Sequence, residues 1–226
     1  TLASLGLDQP IATSSEDFMP VNYGLVMYSK TGLVFDYLLA YLGQEKFDSI
    51  MRDYYQKWKF KHPQPEDLKA IFEQHTSESL DWFFEDLIKT TKKIDYKISC
   101  VHHKHGKSKV KIKNSGQVEG PVHITISNEN NKEVFWLSPT KKTTNLAFDF
   151  LAESVIIDDD EIIPESNRQN NTWKKQQVFN KIEPIKPNFG FSYNRKSETN
   201  ISFLPMLGIN NGDGLMMGTA IHNISP

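Results

Sequence analysis

The segment Tyr-Ser-Lys-Thr-Gly at positions 28–32 holds the side chain with the most distinctive chemistry of this chain, the phenol of Tyr28. A phenol near the start of a helix donates a hydrogen bond to charge that develops on a carbonyl oxygen, an effect worth about 3 kcal/mol in a transition state. The same ring packs equally well in a helical core, as most aromatic residues at such spacing do. Periodicity does not separate these two interpretations, and both stay open at this point.

Several other chemistries are excluded because their motifs are missing from the sequence. It contains no His-Glu-x-x-His, no phosphate-binding loop, no Gly-x-Ser-x-Gly and no Cys-x-x-Cys. The single cysteine, Cys100, is expected to be a small, inert side chain in a strand. Of His102, His103 and His105, only the last two would share a face of a strand and hence a metal ion. A solvated hairpin near Gly106 is the favoured interpretation.

Two further clusters invite a functional interpretation. The acidic run at positions 158–161 could hold calcium, although such runs are usually solvated strand ends. The glycine-rich segment at positions 212–218 lacks the spacing of a dinucleotide-binding loop and predicts a hairpin turn instead. We therefore predict no metal ligand and no cofactor-binding residue in this chain.

Composition restricts the classes of partner. The chain has 226 residues, with 26 basic and 28 acidic side chains and no sustained basic stripe, so nucleic acid is not an expected partner. No apolar run approaches the ~20 residues of a membrane-spanning helix. The sequence begins at Thr1 rather than at Met, which we interpret as a sign of an internal fragment or a processed product.

Apolar residues recur at helical spacing up to about residue 93. One predicted helix has an inward stripe from Leu33 to Tyr41 and stops at Gly43. A second predicted helix has a stripe that ends with Tyr55 and Trp58. Pro65 suits the first turn of a third helix. Ser79 could cap a fourth, short helix that carries Leu80, Trp82, Phe83, Leu87 and Ile88.

From about Ile94 the hydrophobic period changes to two, which predicts six or seven short strands in a small antiparallel β-sandwich. After Pro164 the composition turns polar and predicts a linker, followed by short strand-like runs. The fold class is therefore α+β and multidomain. We place the domains at residues 1–93 (helical), 94–164 (β-sandwich) and 165–226 (linker and β-rich tail, the possible start of a C-terminal extension).

Read in order, these helices resemble the M1 family of zinc aminopeptidases, which are gluzincins. The resemblance rests on Tyr-Ser-Lys-Thr-Gly at 28–32, Tyr-Leu-Gly-Gln-Glu-Lys-Phe at 41–47, Pro-Glu-Asp-Leu at 65–68 and Leu-Asp-Trp-Phe-Phe at 80–84. It covers about the first 90 residues. It implies the helical C-terminal part of a thermolysin-like catalytic domain, and the β-sandwich and β-rich tail are similar to elements that follow it in some bacterial envelope members.

The resemblance implies that Tyr28 stabilises the tetrahedral oxyanion during hydrolysis of the N-terminal peptide bond of peptide substrates. Lys30 and Gly32 belong to the motif without an assigned duty. The family's zinc ligands and general-base glutamate lie upstream of the tyrosine and are absent from this sequence. Zinc is thus expected in a full-length parent and not in this fragment, which should be inactive alone. A cell-envelope, periplasmic or extracellular location follows from the resemblance only.

A second hypothesis comes from a different class of protein. The chain contains no complete catalytic site, and its tail is rich in strand-like segments. It could therefore be a non-catalytic module of helices and a β-sandwich that binds peptides or other components of the cell envelope.

Overall fold

A computed structural model describes residues 6–139, 142–175, 185–189, 199–210, 212 and 214–222. Its first part is helical. α1 (Pro20–Gly24) continues through a π-helical segment (Leu25–Lys30) into α2 (Thr31–Leu42), and α3 (Gln44–Trp58), α4 (Pro65–His75) and a second π-helical segment (Trp82–Ile88) follow. In the described residues no helix is long and apolar enough to cross a membrane, in agreement with the sequence.

The predicted helix boundaries at Gly43 and Pro65 are confirmed. Gly43 has a φ of 82°, a left-handed conformation that glycine adopts readily, and it separates α2 from α3. Pro65 is the first residue of α4, where its missing N–H is not needed. The Gln64 backbone N–H donates to Asp67 Oδ2 at 2.8 Å and completes a capping box.

Two residues of the predicted inward stripes face solvent instead. Val34, Tyr37 and Leu38 of α2 are buried as expected, but Leu33 is exposed. Tyr55 of α3 is also exposed, so its assignment to the buried stripe is wrong. Both residues lie at the edge of an apolar stripe, where the helical period alone does not decide whether a neighbouring element covers them.

The chain turns from helix to strand between Ile88 and Tyr96, and the protein is α+β. The strands are β1 (Tyr96–Lys104), β2 (Lys107–Asn114), β3 (Val122–Ser127), β4 (Lys132–Leu137), β5 (Thr143–Phe148), β6 (Ser154–Ile157), β7 (Thr172–Lys174), β8 (Ile185–Phe189), β9 (Thr199–Asn210) and β10 (Gly214–His222). One sheet has the order β1-β2-β5, a second has the order β4-β3-β6-β7, and a third has the order β10-β9-β8. The first two sheets are antiparallel, and in the third β9 pairs antiparallel with β10 and parallel with β8.

The period of two is confirmed in the first two sheets. Val110 and Ile112 of β2 are buried, and Lys109, Lys111 and Lys113, which alternate with them, are exposed. The pairings within both sheets are antiparallel. Buried residues of both sheets belong to the same hydrophobic cluster as those of the helices. The assignment of residues 94–164 to a separate sandwich domain stays a prediction.

The polar stretch after Pro164 is not a linker at its beginning. Glu165 and Arg168 are buried, a 3₁₀ turn (Arg168–Asn170) follows, and β7 pairs with β6 in the second sheet. Polar composition was misleading here because these side chains hydrogen-bond to each other and to the backbone inside the protein. The first of the strand-like runs that follow in the sequence, at residues 189–193, is described only at Phe189, which ends β8; its other residues lie outside the described ones.

Two buried tyrosines, one from a helix and one from a strand, hold the same loop between β2 and β3. Tyr37 Oη of α2 donates to the carbonyl oxygen of Pro121 at 2.5 Å, and Tyr96 Oη of β1 donates to that of Gly120 at 2.7 Å. The Tyr37 ring also packs on Trp82, with 4.8 Å between the ring centroids. A Cβ at Gly120 would lie 2.5 Å from Tyr37 Oη, so only glycine leaves room for this hydroxyl.

We predict that Tyr37→Phe lowers the free energy of unfolding by about 2 kcal/mol, because the buried Pro121 carbonyl loses its hydrogen-bond donor. Urea unfolding of the 226-residue chain measures this loss. The matched control is Tyr55→Phe, at an exposed tyrosine, which should change the stability by less than about 0.5 kcal/mol. Equal stabilities of the two variants would contradict a stabilising role for the Tyr37 hydroxyl.

Candidate functional site

Tyr28 lies in the π-helical segment Leu25–Lys30, on the outside of the helical region. Its side chain is 70% exposed, so the core-packing interpretation of this residue is not what the structure shows. The Tyr28 ring contacts Tyr23 edge to face with 6.4 Å between centroids, and Tyr23 contacts the buried Phe18 in the same manner. The Tyr28 ring thus packs against the Tyr23 ring on one side and is accessible to solvent on the other.

The π-helical turn, which has more residues per turn than an α-helix, determines the direction in which the Tyr28 side chain points. The N–H of Thr31 donates to the carbonyl of Val26, five residues earlier, and the Thr31 hydroxyl donates to the same carbonyl at 3.0 Å. Val26 and Val34 are both buried, yet eight residues in an uninterrupted α-helix would separate their directions by ~80°. The π-helical segment has more residues per turn, which brings these two valines toward one stripe and turns Tyr28 away from it.

Lys30 anchors the segment that precedes the helix. Its Nζ forms a 3.0 Å ion pair with Asp8 Oδ2 and donates to the carbonyl of Gln9 at 3.3 Å. Asn22 Nδ2 donates to the carbonyl of Leu7 at 2.8 Å and to Gln9 Oε1 at 3.0 Å. The motif lysine, which had no duty at the sequence level, therefore ties residues 7–9 across the start of the helix. Nothing local in the sequence signals a partner 22 residues away.

The helix around Tyr28 exposes seven large apolar side chains on more than one of its sides, and we call this set of residues the N-terminal helix face. Single exposed apolar residues are common on soluble proteins, but contiguous apolar patches usually mark interaction surfaces. The members of this face are Met19, Val21, Tyr23, Leu25, Met27, Tyr28 and Leu33.

The histidine cluster forms the hairpin that the sequence favoured. β1 and β2 pair antiparallel, His102 lies opposite Lys109 and His103 opposite Ser108, and His105 and Gly106 form the turn with positive φ. His103 packs edge-on against the Trp173 ring, with 5.7 Å between the centroids. Within the described residues, no group of three or more histidine, cysteine, aspartate or glutamate side chains is arranged to hold a metal ion.

The acidic run is a solvated strand end only in part. Asp159 and Asp160 are exposed, but Asp158 is buried and forms a 2.5 Å ion pair with Arg168. Asp158 also accepts the backbone N–H groups of Ile162 and Ile163, at 3.0 and 2.9 Å. Its carboxylate therefore shapes the chain after β6, and the expectation that the whole run is solvated is wrong for this residue.

Glu165 is a buried carboxyl group that sequence analysis missed. It is 2% exposed, its Oε1 accepts the backbone N–H of Tyr96 at 3.0 Å, and its Oε2 accepts from Asn171 Nδ2. Burial raises the pKa of Glu165 to about 7, against the opposing effects of Asn171, Tyr96 and Arg168. A shifted carboxyl group is often catalytic, but both oxygens of this one are engaged inside the core, so its role is structural.

Asn171 connects Glu165 to the end of β6. Its Nδ2 donates to Glu165 Oε2 and to the carbonyl oxygen of Ile157, the latter at 3.4 Å. Its buried Oδ1 has no hydrogen-bond partner among the described residues.

Comparison with known proteins supports the fold rather than the chemistry. No protein-family model matches the chain, and no curated protein matches its sequence. The structure is similar to that of aminopeptidase A from Legionella pneumophila, solved in complex with aspartic acid, with a TM-score of 0.50 and 11% sequence identity. The similarity covers 64% of this chain and 18% of that protein. The matched 64% of this chain thus shares the fold of a minor part of an aminopeptidase.

We predict that the stability of the chain falls as the pH rises from about 5 to about 7.5. The pKa of Glu165 is about 7 in the folded state and 4.5 as the reference value, so over this range the unfolded chain releases a proton that the folded chain retains. The expected loss is on the order of 3 kcal/mol. Urea unfolding at several pH values measures it.

Glu165→Gln is the matched variant for this prediction, since it keeps the shape of the side chain but does not titrate. Its stability should vary less with pH than that of the unsubstituted chain over the same range. Parallel pH profiles of the two proteins would contradict the assignment to Glu165.

Proposed function

We propose that this chain is the C-terminal portion of a zinc-dependent aminopeptidase of the M1 type, which hydrolyses N-terminal residues from peptides. Tyr28 is the residue to which we assign a catalytic role, as the donor that stabilises the oxyanion. The observation that carries the proposal is the exposure of the Tyr28 phenol at a π-helical turn. Such turns occur frequently at functional sites.

Two further observations support the proposal. The matched 64% of the chain shares its fold with part of an aminopeptidase. The N-terminal helix face is apolar around Tyr28, which suits a surface that another part of the same catalytic domain covers. In that arrangement Tyr28 would lie at a boundary between two parts of one domain, where enzymes commonly place their substrate-binding clefts.

The chemistry assigned to Tyr28 is electrostatic. When water adds to the scissile carbonyl of a peptide, the carbonyl oxygen becomes an oxyanion, and the phenol O–H donates a hydrogen bond to it. This bond is stronger in the transition state than with the neutral carbonyl of the substrate, so it lowers the barrier rather than only tightening binding. The Tyr23 ring and the Lys30–Asp8 ion pair restrict the turn that carries the phenol.

The chain's own residues do not fit a metal site. Its sequence lacks His-Glu-x-x-His, and its described part has no cluster of metal-binding side chains. In the proposed enzyme, the zinc ligands and the general base therefore belong to another part of the protein. The isolated chain is expected to be inactive toward peptides, because a phenol alone neither activates water nor binds the free amino group of a substrate.

We predict that Tyr28→Phe in the full-length protein lowers kcat by about 10²-fold, because the oxyanion loses a donor. Hydrolysis of aminoacyl p-nitroanilides measures the rate, and the zinc content should stay unchanged. Tyr55→Phe, an exposed tyrosine of α3, is the control and should retain normal turnover.

Two outcomes would contradict the proposal at different levels. Near-normal turnover of Tyr28→Phe would remove Tyr28 from the mechanism while leaving the enzyme class intact. If the protein sequence before residue 1 lacked His-Glu-x-x-His followed by a glutamate, the aminopeptidase assignment itself would fail, and the non-catalytic binding module would be the better hypothesis.

A further inference from the structure

Strand β2 presents a row of exposed lysines to solvent. They alternate with buried residues, so they all point to the outer face of the sheet β1-β2-β5. Alternate residues of a strand are about 6.8 Å apart, which makes the row about 20 Å long. The overall composition conceals it, because 26 basic and 28 acidic side chains nearly balance over the whole chain. We call it the lysine row, and its members are Lys107, Lys109, Lys111 and Lys113.

The neighbouring strands add positive charge to this face at both ends of the row. Lys104 of β1 lies opposite Lys107, and Lys97 lies opposite Lys113. Directly paired residues point to the same face of a sheet. None of the residues that pair with the row is acidic; besides the two lysines they are Cys100, His102, Thr143, Asn145 and Ala147.

Most of the ammonium groups of the lysine row are available to a partner. Lys107 Nζ pairs with Asp149 Oδ1 at 2.6 Å, but the two side chains are 65% and 86% exposed, so this ion pair is weak. Among the described residues, Lys109, Lys111 and Lys113 form no ion pair. Like charges on paired strands repel each other, and an anionic partner would relieve that repulsion.

The side chains of this face do not have the chemistry of a nucleic-acid site. Proteins that hold single strands stack the bases on aromatic rings, and proteins that read a duplex insert a helix or a β-ribbon into a groove. The outer face of this sheet has no phenylalanine, tyrosine, tryptophan or arginine on its described strands. It is also the face of a three-stranded sheet rather than a projecting element.

The arrangement of the charges favours a linear partner. Along its middle, the row is flanked on both neighbouring strands by side chains other than lysine and arginine, so the charges follow a line. The anionic headgroups of a bilayer are instead spread over a plane. An extended polypeptide has the same repeat as the row, because its side chains on one side are also about 6.8 Å apart. Acidic residues at alternate positions therefore place carboxylates over consecutive lysines.

We propose that the lysine row binds an acidic polypeptide segment in an extended conformation, with aspartate or glutamate at alternate positions. About seven residues of such a segment span the row and bring four carboxylates to four ammonium groups. Lysine is suited to this contact, since its ammonium group is a point charge on a flexible stem. The inference goes beyond the proposed function, because it requires neither zinc nor Tyr28.

Fluorescence anisotropy of a dye-labelled peptide of four Glu-Thr repeats, titrated with the 226-residue chain at low salt, tests this inference. Threonine favours the extended conformation. Binding should weaken as NaCl is added, because salt screens exposed charges. Lys111→Gln should lower the association constant about threefold by removing one ion pair. Lys111→Glu should lower it at least tenfold, because a repulsion is added in the middle of the row.

Two matched controls separate the lysine row from the net charge of the chain. Lys57→Glu makes the same change of charge at an exposed lysine of α3, and its association constant should stay within about twofold. A peptide of four glutamates followed by four threonines has the same composition as the first. When it is extended, only two of its carboxylates face the row, so it should bind at least threefold more weakly. Far-UV circular dichroism and urea unfolding establish that each variant is folded.

Four results would overturn the inference. The first is the absence of binding at high micromolar concentrations of the chain. The second is a loss with Lys57→Glu as large as that with Lys111→Glu, and the third is equal binding of the two peptides. The fourth is tighter binding of a single-stranded oligonucleotide with four phosphates, or flotation with anionic vesicles that excess peptide does not reverse. Since these variants leave Tyr28 unchanged, failure here is distinct from loss of peptidase activity in the full-length protein.

Discussion

The donation of two buried phenol hydroxyls to two consecutive carbonyls is the constraint on which the rest of the structure depends. Tyr37 reaches Pro121 from the helices, and Tyr96 reaches Gly120 from the first sheet. An unpaired carbonyl in this core would cost about 1–3 kcal/mol, so helices and strands are stable in one relative arrangement. Burial raises the pKa of Tyr37 well above its ordinary value, with smaller effects from Tyr96 and Glu165, and the hydroxyl remains a donor.

These two hydrogen bonds also determine which side of α2, and of the helical segment that precedes it, faces outward. Since Tyr37 and Val34 of α2 are held in the core, any residue on the far side of the same helix has to face away from it. The π-helical segment then sets the remaining rotation of Tyr28, and the Lys30–Asp8 ion pair ties the turn to residues before the helix. The direction of the Tyr28 phenol thus results from the buried stripe of α2, the π-helical segment and the Lys30–Asp8 ion pair. Only the first of these produces a periodic pattern in the sequence.

That distinction explains how much of the molecule could be predicted. Gly43, Pro65 and the alternation in β2 act locally, through backbone conformation or burial of one face, and these predictions are confirmed. The π-helical segment has no local signal in the sequence, because a threonine such as Thr31 is equally compatible with an ordinary α-helix. The hydrogen bond from its hydroxyl to the Val26 carbonyl is known only from the structure. Glu165 resembled a linker residue because its partners, Tyr96 and Asn171, are known only from the tertiary structure.

The exposed side chains around Tyr28 combine apolar and hydrogen-bonding groups. The N-terminal helix face contains two tyrosines, and the segment that Lys30 and Asn22 anchor borders it, so polar groups are available along its margin. Mixed apolar and hydrogen-bonding character is typical of protein interfaces. The interactions that position Tyr28 therefore also determine the polar composition of its surroundings.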